Sequence, residues 1–395
     1  MCAGIIRQRN CRLRRPLGTV VCALFSLCLL STSTGCGAGG AYSNFDQNGK
    51  PLVPIQLSPP APPNALWKGK DLSSLMGPVL AGAAREAAQK GNYVDAVTLQ
   101  YWAVHTNDRG RYDLACYYSR IGDVDSAIYW LQDASLSDGV DAEWAGRDYD
   151  LDAVRSDRRW AQLAPFLAAT NQYWASKGQP ATSFVMPQEL APGTRVGVVL
   201  GLPGLGDNPH SFFPIGYQPF ADQLAMAFVA VSGTVPRGRT SFVWAEDVVR
   251  DSERVRQALR EVAQQEQVDN RRVILLGFSQ GAQMAFEIAM TYPEEFAGAI
   301  VLSPGSQKPR DLRQIRSSSM HRRQAYVLCC GEREHPMTVH STRSDASLAE
   351  KMGANVRLLI TPGASAHTFP PNFRQQLPEW VHFIESQRRT QPSEK

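Results

Sequence analysis

The sequence predicts an α/β protein: a parallel sheet covered by helices on both faces over residues 179–389, preceded by a small all-α domain over residues 66–178. Three observations carry that prediction. Apolar strand-like runs alternate with helical stretches through the second half of the chain. One of them, Val273–Leu276, runs straight into Gly277-Phe278-Ser279-Gln280-Gly281 and then into a helix. In the first half a helical motif recurs at an offset of thirty-one residues.

At the amino end, Arg7, Arg9, Arg12, Arg14 and Arg15 precede the apolar run Leu17–Leu30. That run is too short to span a bilayer comfortably and ends in small residues, the form of a secretory signal peptide over residues 1–35. Ser33-Thr34-Gly35-Cys36 resembles a bacterial lipoprotein cleavage box, with Ser33 where a leucine is usual. The resemblance implies lipid attachment at Cys36 and a membrane-anchored protein of the cell envelope; soluble secretion is the alternative. Residues 36–65, ending Pro59-Pro60-Ala61-Pro62-Pro63, are poor in apolar side chains and are expected to act as a semi-rigid spacer.

The helical domain carries the repeat. Gly91-Asn92-Tyr93-Val94-Asp95-Ala96-Val97 returns as Gly122-Asp123-Val124-Asp125-Ser126-Ala127-Ile128, each copy preceded and followed by a helical stretch. The pattern is similar to tetratricopeptide helix pairs, whose usual period is about thirty-four residues. Trp144, Leu151, Val154, Trp160, Leu163 and Phe166 are expected to cap the stack. Such pairs pack against a neighbouring domain or offer a groove to a peptide or protein partner.

In the second half, strands are expected at 195–200, 227–231, 273–276, 299–302, 326–330 and 356–360, and a helix at 244–265 with Glu246 and Asp247 in its first turn. Reversing a buried strand into a helix within a few residues strains the serine between them, and glycines two positions to either side leave room for the turn. Ser279 is therefore the candidate nucleophile, and the Gln280 N–H faces an oxyanion from a helix start.

A serine nucleophile needs a base and an acid in the chain order serine, acid, histidine. His105 and His210 precede Ser279. His382 reads as a structural residue of a terminal helix, His321 as part of a solvated basic loop, and the spacing of His335 and His340 suits no common metal pair. His367 lies in a small-residue loop directly after the strand at 356–360, where a base must stand to reach an earlier strand tip. The acid is expected after the strand before that one; Glu334 is the first choice and Glu332 its close rival, with Asp311 and Asp345 weaker. The second oxyanion donor is expected from Gly201-Leu202-Pro203-Gly204-Leu205-Gly206-Asp207-Asn208, with Leu205 the candidate.

Gly204-Leu205-Gly206-Asp207 together with Gly277-Phe278-Ser279-Gln280-Gly281 resembles the phospholipase/carboxylesterase family of α/β-hydrolases, which includes acyl-protein thioesterases. The resemblance spans roughly residues 192–386. It implies an α/β-hydrolase fold, a Ser279–His367–acid triad and oxyanion donors at Leu205 and Gln280. The chain departs from the family in having Pro203 where His is usual and Glu334 where Asp is usual, which leaves the oxyanion loop's shape and the acid open.

The remaining composition narrows the partners. The net charge is +4, and the five signal-region arginines exceed it, so nucleic acid is not an expected partner. Lys308, Arg310, Arg313, Arg316, Arg322 and Arg323 read as a solvated basic face. Of eight cysteines, four leave with the signal, and the rest form neither a disulfide framework nor zinc spacing. The expected chemistry requires no metal and no organic cofactor. With no insertion long enough for a large lid, the site should be open to solvent and act on small acyl esters; residues 390–395 are an expected disordered tail.

Overall fold

Val196–Leu202, Met226–Val231 and Gly298–Leu302 are apolar at almost every position, a pattern suited to strands covered on both faces. In the computed structural model each is a strand buried from end to end. The structure describes residues 5–7, 53–107, 109–191, 193–212, 217–306, 310, 312–365 and 367–389. Cys36, nearly all of the signal region, the first part of the spacer and the tail lie outside the described residues.

Five helices dominate the first half: α1 (Gly77–Gln89), α2 (Tyr93–Asn107), α3 (Arg111–Arg120), α4 (Val124–Ser137) and α5 (Trp160–Lys177). The sequence repeat is also a structural one. Gly91 and Gly122 both take left-handed φ, at 75° and 81°. The next N–H closes the same helix-ending bond in each copy, Asn92 N to Ala87 O at 2.9 Å and Asp123 N to Tyr118 O at 3.0 Å. Ala96 and Ala127 are fully buried, so that nothing larger than a methyl group stands where each following helix meets its neighbours. Leu151, Val154 and Leu163 are fully buried and Phe166 nearly so, whereas Trp144 remains 38% exposed.

The spacer expected over residues 36–65 is not free of the fold along its last part. Ile55 and Leu57, alternating as in an extended strand, pack on the helical core. The side-chain amide of buried Gln132 on α4 donates to Ile55 O at 3.2 Å and accepts from Ile55 N at 2.5 Å. Two apolar residues at i and i+2 suffice to dock a proline-rich segment whose composition alone suggests a tether.

The sheet domain comprises β1 (Thr182–Val185), β2 (Val196–Leu202), β3 (Met226–Val231), a small hairpin of β4 (Val235–Pro236) and β5 (Phe242–Val243), α6 (Val248–Ala263), β6 (Val268–Phe278), α7 (Gln280–Thr291), β7 (Gly298–Leu302), β8 (Ala325–Gly331), α8 (Pro336–Lys351), β9 (Asn355–Thr361) and α9 (Phe373–Arg389). The main sheet has the order β1-β3-β2-β6-β7-β8-β9, and Ile5–Arg7 adds in parallel outside β1. Among the described residues of this sheet, the β1–β3 pairing is antiparallel and the others are parallel. All six expected strands are present. β1 is not among the expected strands, and β6 is longer than expected: its first half contains Asp269, Asn270, Arg271 and Arg272 and is separated from the rest by a bulge against β2. Among the described residues, no helix is long and apolar enough to cross a membrane.

The two domains meet at the β4–β5 hairpin. Arg237 donates to Asp141 at 2.9 Å. A Cβ on Gly238 would collide with Asp138 O, and one on Gly178, past the end of α5, would collide with the Pro236 ring.

Candidate active site

Ser279 sits between β6 and α7 with φ 54° and ψ −123°, a conformation costing about 1–3 kcal/mol for a non-glycine residue. The surroundings hold it there. A Cβ on Gly277 would overlap Gly281 O, and one on Gly281 would overlap Leu202 O and Pro203 O. Glycines flank the serine because backbone occupies the space their side chains would need. Ser279 N donates to Leu302 O at 3.0 Å, and Gly305 N donates to Ser279 O at 3.1 Å. Gln280 through Met290 are all buried, which fixes α7 firmly against the sheet.

The catalytic candidates converge at the carboxyl ends of the parallel strands. His367 Nε2 lies 2.8 Å from Ser279 Oγ, and His367 Nδ1 lies 2.9 Å from Glu334 Oε2. Glu334 has a side chain 1% exposed, while that of His367 is 44% exposed. The second oxygen, Glu334 Oε1, accepts from Gly331 N at 2.6 Å and Ser303 Oγ at 2.8 Å. Three donors thus hold a buried carboxylate in one orientation, with one oxygen turned to the imidazole. The rival Glu332 is exposed and accepts from Gly363 N at 2.9 Å, a bond that ties the chain after β8 to the turn after β9. Asp345 lies on α8 and pairs with Arg310; Asp311 is outside the described residues.

The expected oxyanion donors flank the serine. Gln280 opens α7, where backbone N–H groups have no partner within the helix. Gly204, immediately before Leu205, packs so closely that a Cβ there would lie 3.3 Å from Ser279 Cβ. The imidazole rests against an aromatic wall: ring centres of Phe278 and His367 are 5.0 Å apart, Phe278 and Phe369 5.1 Å, and Phe369 and Phe212 5.9 Å. A cavity of about 240 Å³ bordered by Ser303, Glu334, Thr368 and Phe369 lies beside the acid. A larger one, of about 430 Å³, is lined by Arg272, Arg323, Glu385 and Arg388 away from the catalytic candidates.

Several expectations are corrected here. His321 is no solvated loop residue: it is fully buried, with Nδ1 2.9 Å from Gln324 Oε1 and Nε2 2.9 Å from Arg316 O. His382 stands on the exposed side of α9. Arg310 leaves the solvated basic face to reach Glu287 at 2.9 Å and Asp345 at 2.5 Å in the interior. Burial pushes the Asp345 carboxyl up to about 7, outweighing the neighbouring guanidinium.

The helix expected at 244–265 starts instead at Val248. Asp247 is its N-cap, accepting from Val249 N and Arg250 N at 3.0 Å each. Trp244 is released into the loop beside the serine, and Glu246 takes a left-handed φ of 54° there. Sequence reasoning missed both as site residues, and Ser303 too, since each acts through a tertiary contact that no local pattern encodes.

The mostly parallel sheet flanked by helices fits an α/β-hydrolase fold, and a serine, a histidine and a carboxylate converge at its strand ends. Residues 192–383, just under half of the chain but including all three of those residues, match the Phospholipase/Carboxylesterase family. That match supports an ester hydrolase. No curated protein matches the chain. Among solved structures it is similar to an uncharacterized protein from Bacillus cereus, at 14% identity over 79% of this chain and 99% of that one, with a TM-score of 0.43. It is also similar to the Bacillus cereus carboxylesterase, at 17% identity over 54% of this chain and 99% of that one, TM-score 0.41. Esterase PE8 is similar at 19% identity over 51% of this chain and 97% of that one, TM-score 0.41.

Proposed function

We propose that the chain is a serine hydrolase cleaving carboxylic esters through an acyl-enzyme. His367 takes the Ser279 proton as the hydroxyl attacks the acyl carbonyl, and Glu334 stabilises the imidazolium. The N–H groups of Leu205 and Gln280 hold the tetrahedral oxyanion. His367 then protonates the leaving alcohol and next activates a water to release the acid. The observation carrying this reading is the unbroken relay from Ser279 Oγ through His367 to a carboxylate buried with three donors. The aromatic wall of Phe278 and Phe369 suits an apolar group of a small acyl ester.

Ser279→Ala should lower turnover by roughly 10⁶-fold, as when such a nucleophile is removed elsewhere. It should also abolish labelling by a fluorophosphonate probe. Undiminished ester hydrolysis by the purified variant refutes the reading, and a well-folded wild type that never labels favours a repeat scaffold with a vestigial hydrolase fold. Matched oxygen esters, thioesters and peptides separate the acyl classes on the same triad. A cell-envelope location through lipid on Cys36 belongs to the same proposal and rests on the signal-like amino terminus; metabolic labelling with a palmitate analogue, lost in Cys36→Ala, tests it. Contact with a peptide or protein through the helical repeats is proposed on their helix-pair pattern.

A further inference from the structure

The two segments carrying the oxyanion donors are strapped to a common support, Phe242–Glu246, which the catalytic scheme does not use. The Trp244 indole N–H donates to Pro203 O at 2.9 Å, one peptide before Gly204 and Leu205. Gly206 N on the far side of Leu205 donates to Phe242 O at 2.9 Å. The same support grips the other donor. Trp244 N donates to Gln280 Oε1 at 2.9 Å, and Gln280 Nε2 donates to Trp244 O at 3.2 Å and Glu246 Oε1 at 2.7 Å. Glu246 Oε2 then accepts from Ser306 Oγ at 2.7 Å, beside the Gly305 N–H that bonds Ser279 O.

Trp244 is 2% exposed and Gln280 4% exposed, so the bonds of Trp244 to Gln280 and Pro203 form away from competing water. Glu246 bridges Gln280 and Ser306 from a left-handed backbone, a conformation that persists where surrounding structure over-determines it. The departure at Pro203 fits this scheme: proline lacks an N–H but offers a carbonyl, and the indole fixes that carbonyl.

We infer that Trp244 and Glu246 are positioning residues, which set the spacing of the Leu205 and Gln280 N–H groups around the oxyanion without touching substrate. The inference rests on the proposed esterase reading of Ser279. Oxyanion stabilisation depends on donors held at 2.7–3.1 Å from the position the carbonyl oxygen reaches as it becomes an oxyanion in the transition state. Loosening the support therefore acts on kcat and leaves ground-state binding alone.

The test uses the full chain with a p-nitrophenyl ester and an arylboronic acid that forms a tetrahedral adduct. Trp244→Phe keeps an aromatic ring and loses the pyrrole part of the indole with its N–H. Glu246→Ala loses the bonds to Gln280 and Ser306, and Glu246→Gln keeps an acceptor. Expected are a fall in kcat of about 10- to 100-fold for Trp244→Phe and Glu246→Ala, below the ~10²–10³-fold of an outright lost donor. KM should stay within about twofold, boronate affinity should weaken by the same factor as kcat, and Glu246→Gln should recover part of the loss. Folded Trp244→Phe and Glu246→Ala proteins with wild-type kcat and boronate affinity overturn the positioning role. A KM rise at constant kcat overturns it as well. A loss of melting temperature with no change in kcat per folded molecule assigns the support to stability alone. If Trp244→Phe fails to fold, the Glu246 pair decides by the same readouts. Failure of the parent reading looks different: Ser279→Ala then retains activity, and both proposals fall together.

Discussion

Glu334 offers the sharpest test of how the site works. Its two oxygens take three donors, with Gly331 N and Ser303 Oγ on one and His367 Nδ1 on the other. Glu334→Gln keeps the shape but has a single acceptor oxygen. If that oxygen serves Gly331 and Ser303, the amide NH₂ faces His367 Nδ1, which must give up its proton. The proton moves to Nε2, so the ring presents N–H to Ser279 and cannot act as its base. A wrong tautomer of this kind costs about 10⁴-fold in kcat, or about 5 kcal/mol of barrier. Glu334→Asp keeps the charge but withdraws the carboxylate by one methylene, and an ångström-scale misplacement costs about 10²-fold. Glu332→Gln, which perturbs a bond to Gly363 N, should leave kcat within about threefold. Saturating hydrolysis of p-nitrophenyl butyrate across pH 5 to 9 reads all three. A Glu334→Gln enzyme within tenfold of wild type, or a Glu332→Gln enzyme equally crippled, refutes the tautomer argument.

Three further outcomes follow from the packing. Burial raises Asp345 to about 7 and Asp251 to about 6, so between about pH 4 and 7 the folded chain holds protons that the unfolded chain has released. Their contribution to stability is therefore complete below the unfolded value and declines as pH rises through the folded one; thermal melts from pH 4.5 to 8 should show that decline, flattened in Asp345→Asn, and an unchanged slope in the variant disproves it. Gly281→Ala drives a methyl group into Leu202 O and Pro203 O, and should cost at least the roughly 1–3 kcal/mol of overpacking together with nearly all esterase activity; a urea titration matching wild type would contradict this. Gly238→Ala collides with Asp138 O and should loosen the seam between domains, read as faster proteolysis between residues 177 and 182, whereas wild-type cleavage kinetics would show the seam to be tolerant.

What could be read from the chain and what could not divide along a physical line. The sheet was legible because strands buried on both faces leave unbroken apolar runs, and Ser279 because its turn forces glycines into the sequence. His367 and Glu334 were legible because strand order dictates which loops reach a strand tip, although Glu332 was separated from Glu334 only by geometry. Trp244 and Glu246 were misassigned because Val248, Val255, Leu259 and Val262 make a strong helical stripe, and nothing local tells a helix start from an acidic loop until Asp247 is seen capping it. His321 and Arg310 were misread for a related reason: both sit among exposed basic neighbours, and their burial is decided by distant partners such as Glu287 and Asp345.

The hairpin that joins the domains also has mechanical meaning. Four residues separate Arg237, gripped by Asp141 of the helical stack, from Phe242, whose carbonyl holds the loop of Leu205. A force or ligand displacing the helices would be delivered through this short lever to the rim of the reaction chamber. Substitutions at the seam, remote from the serine along the chain, should then register in turnover before they register in melting.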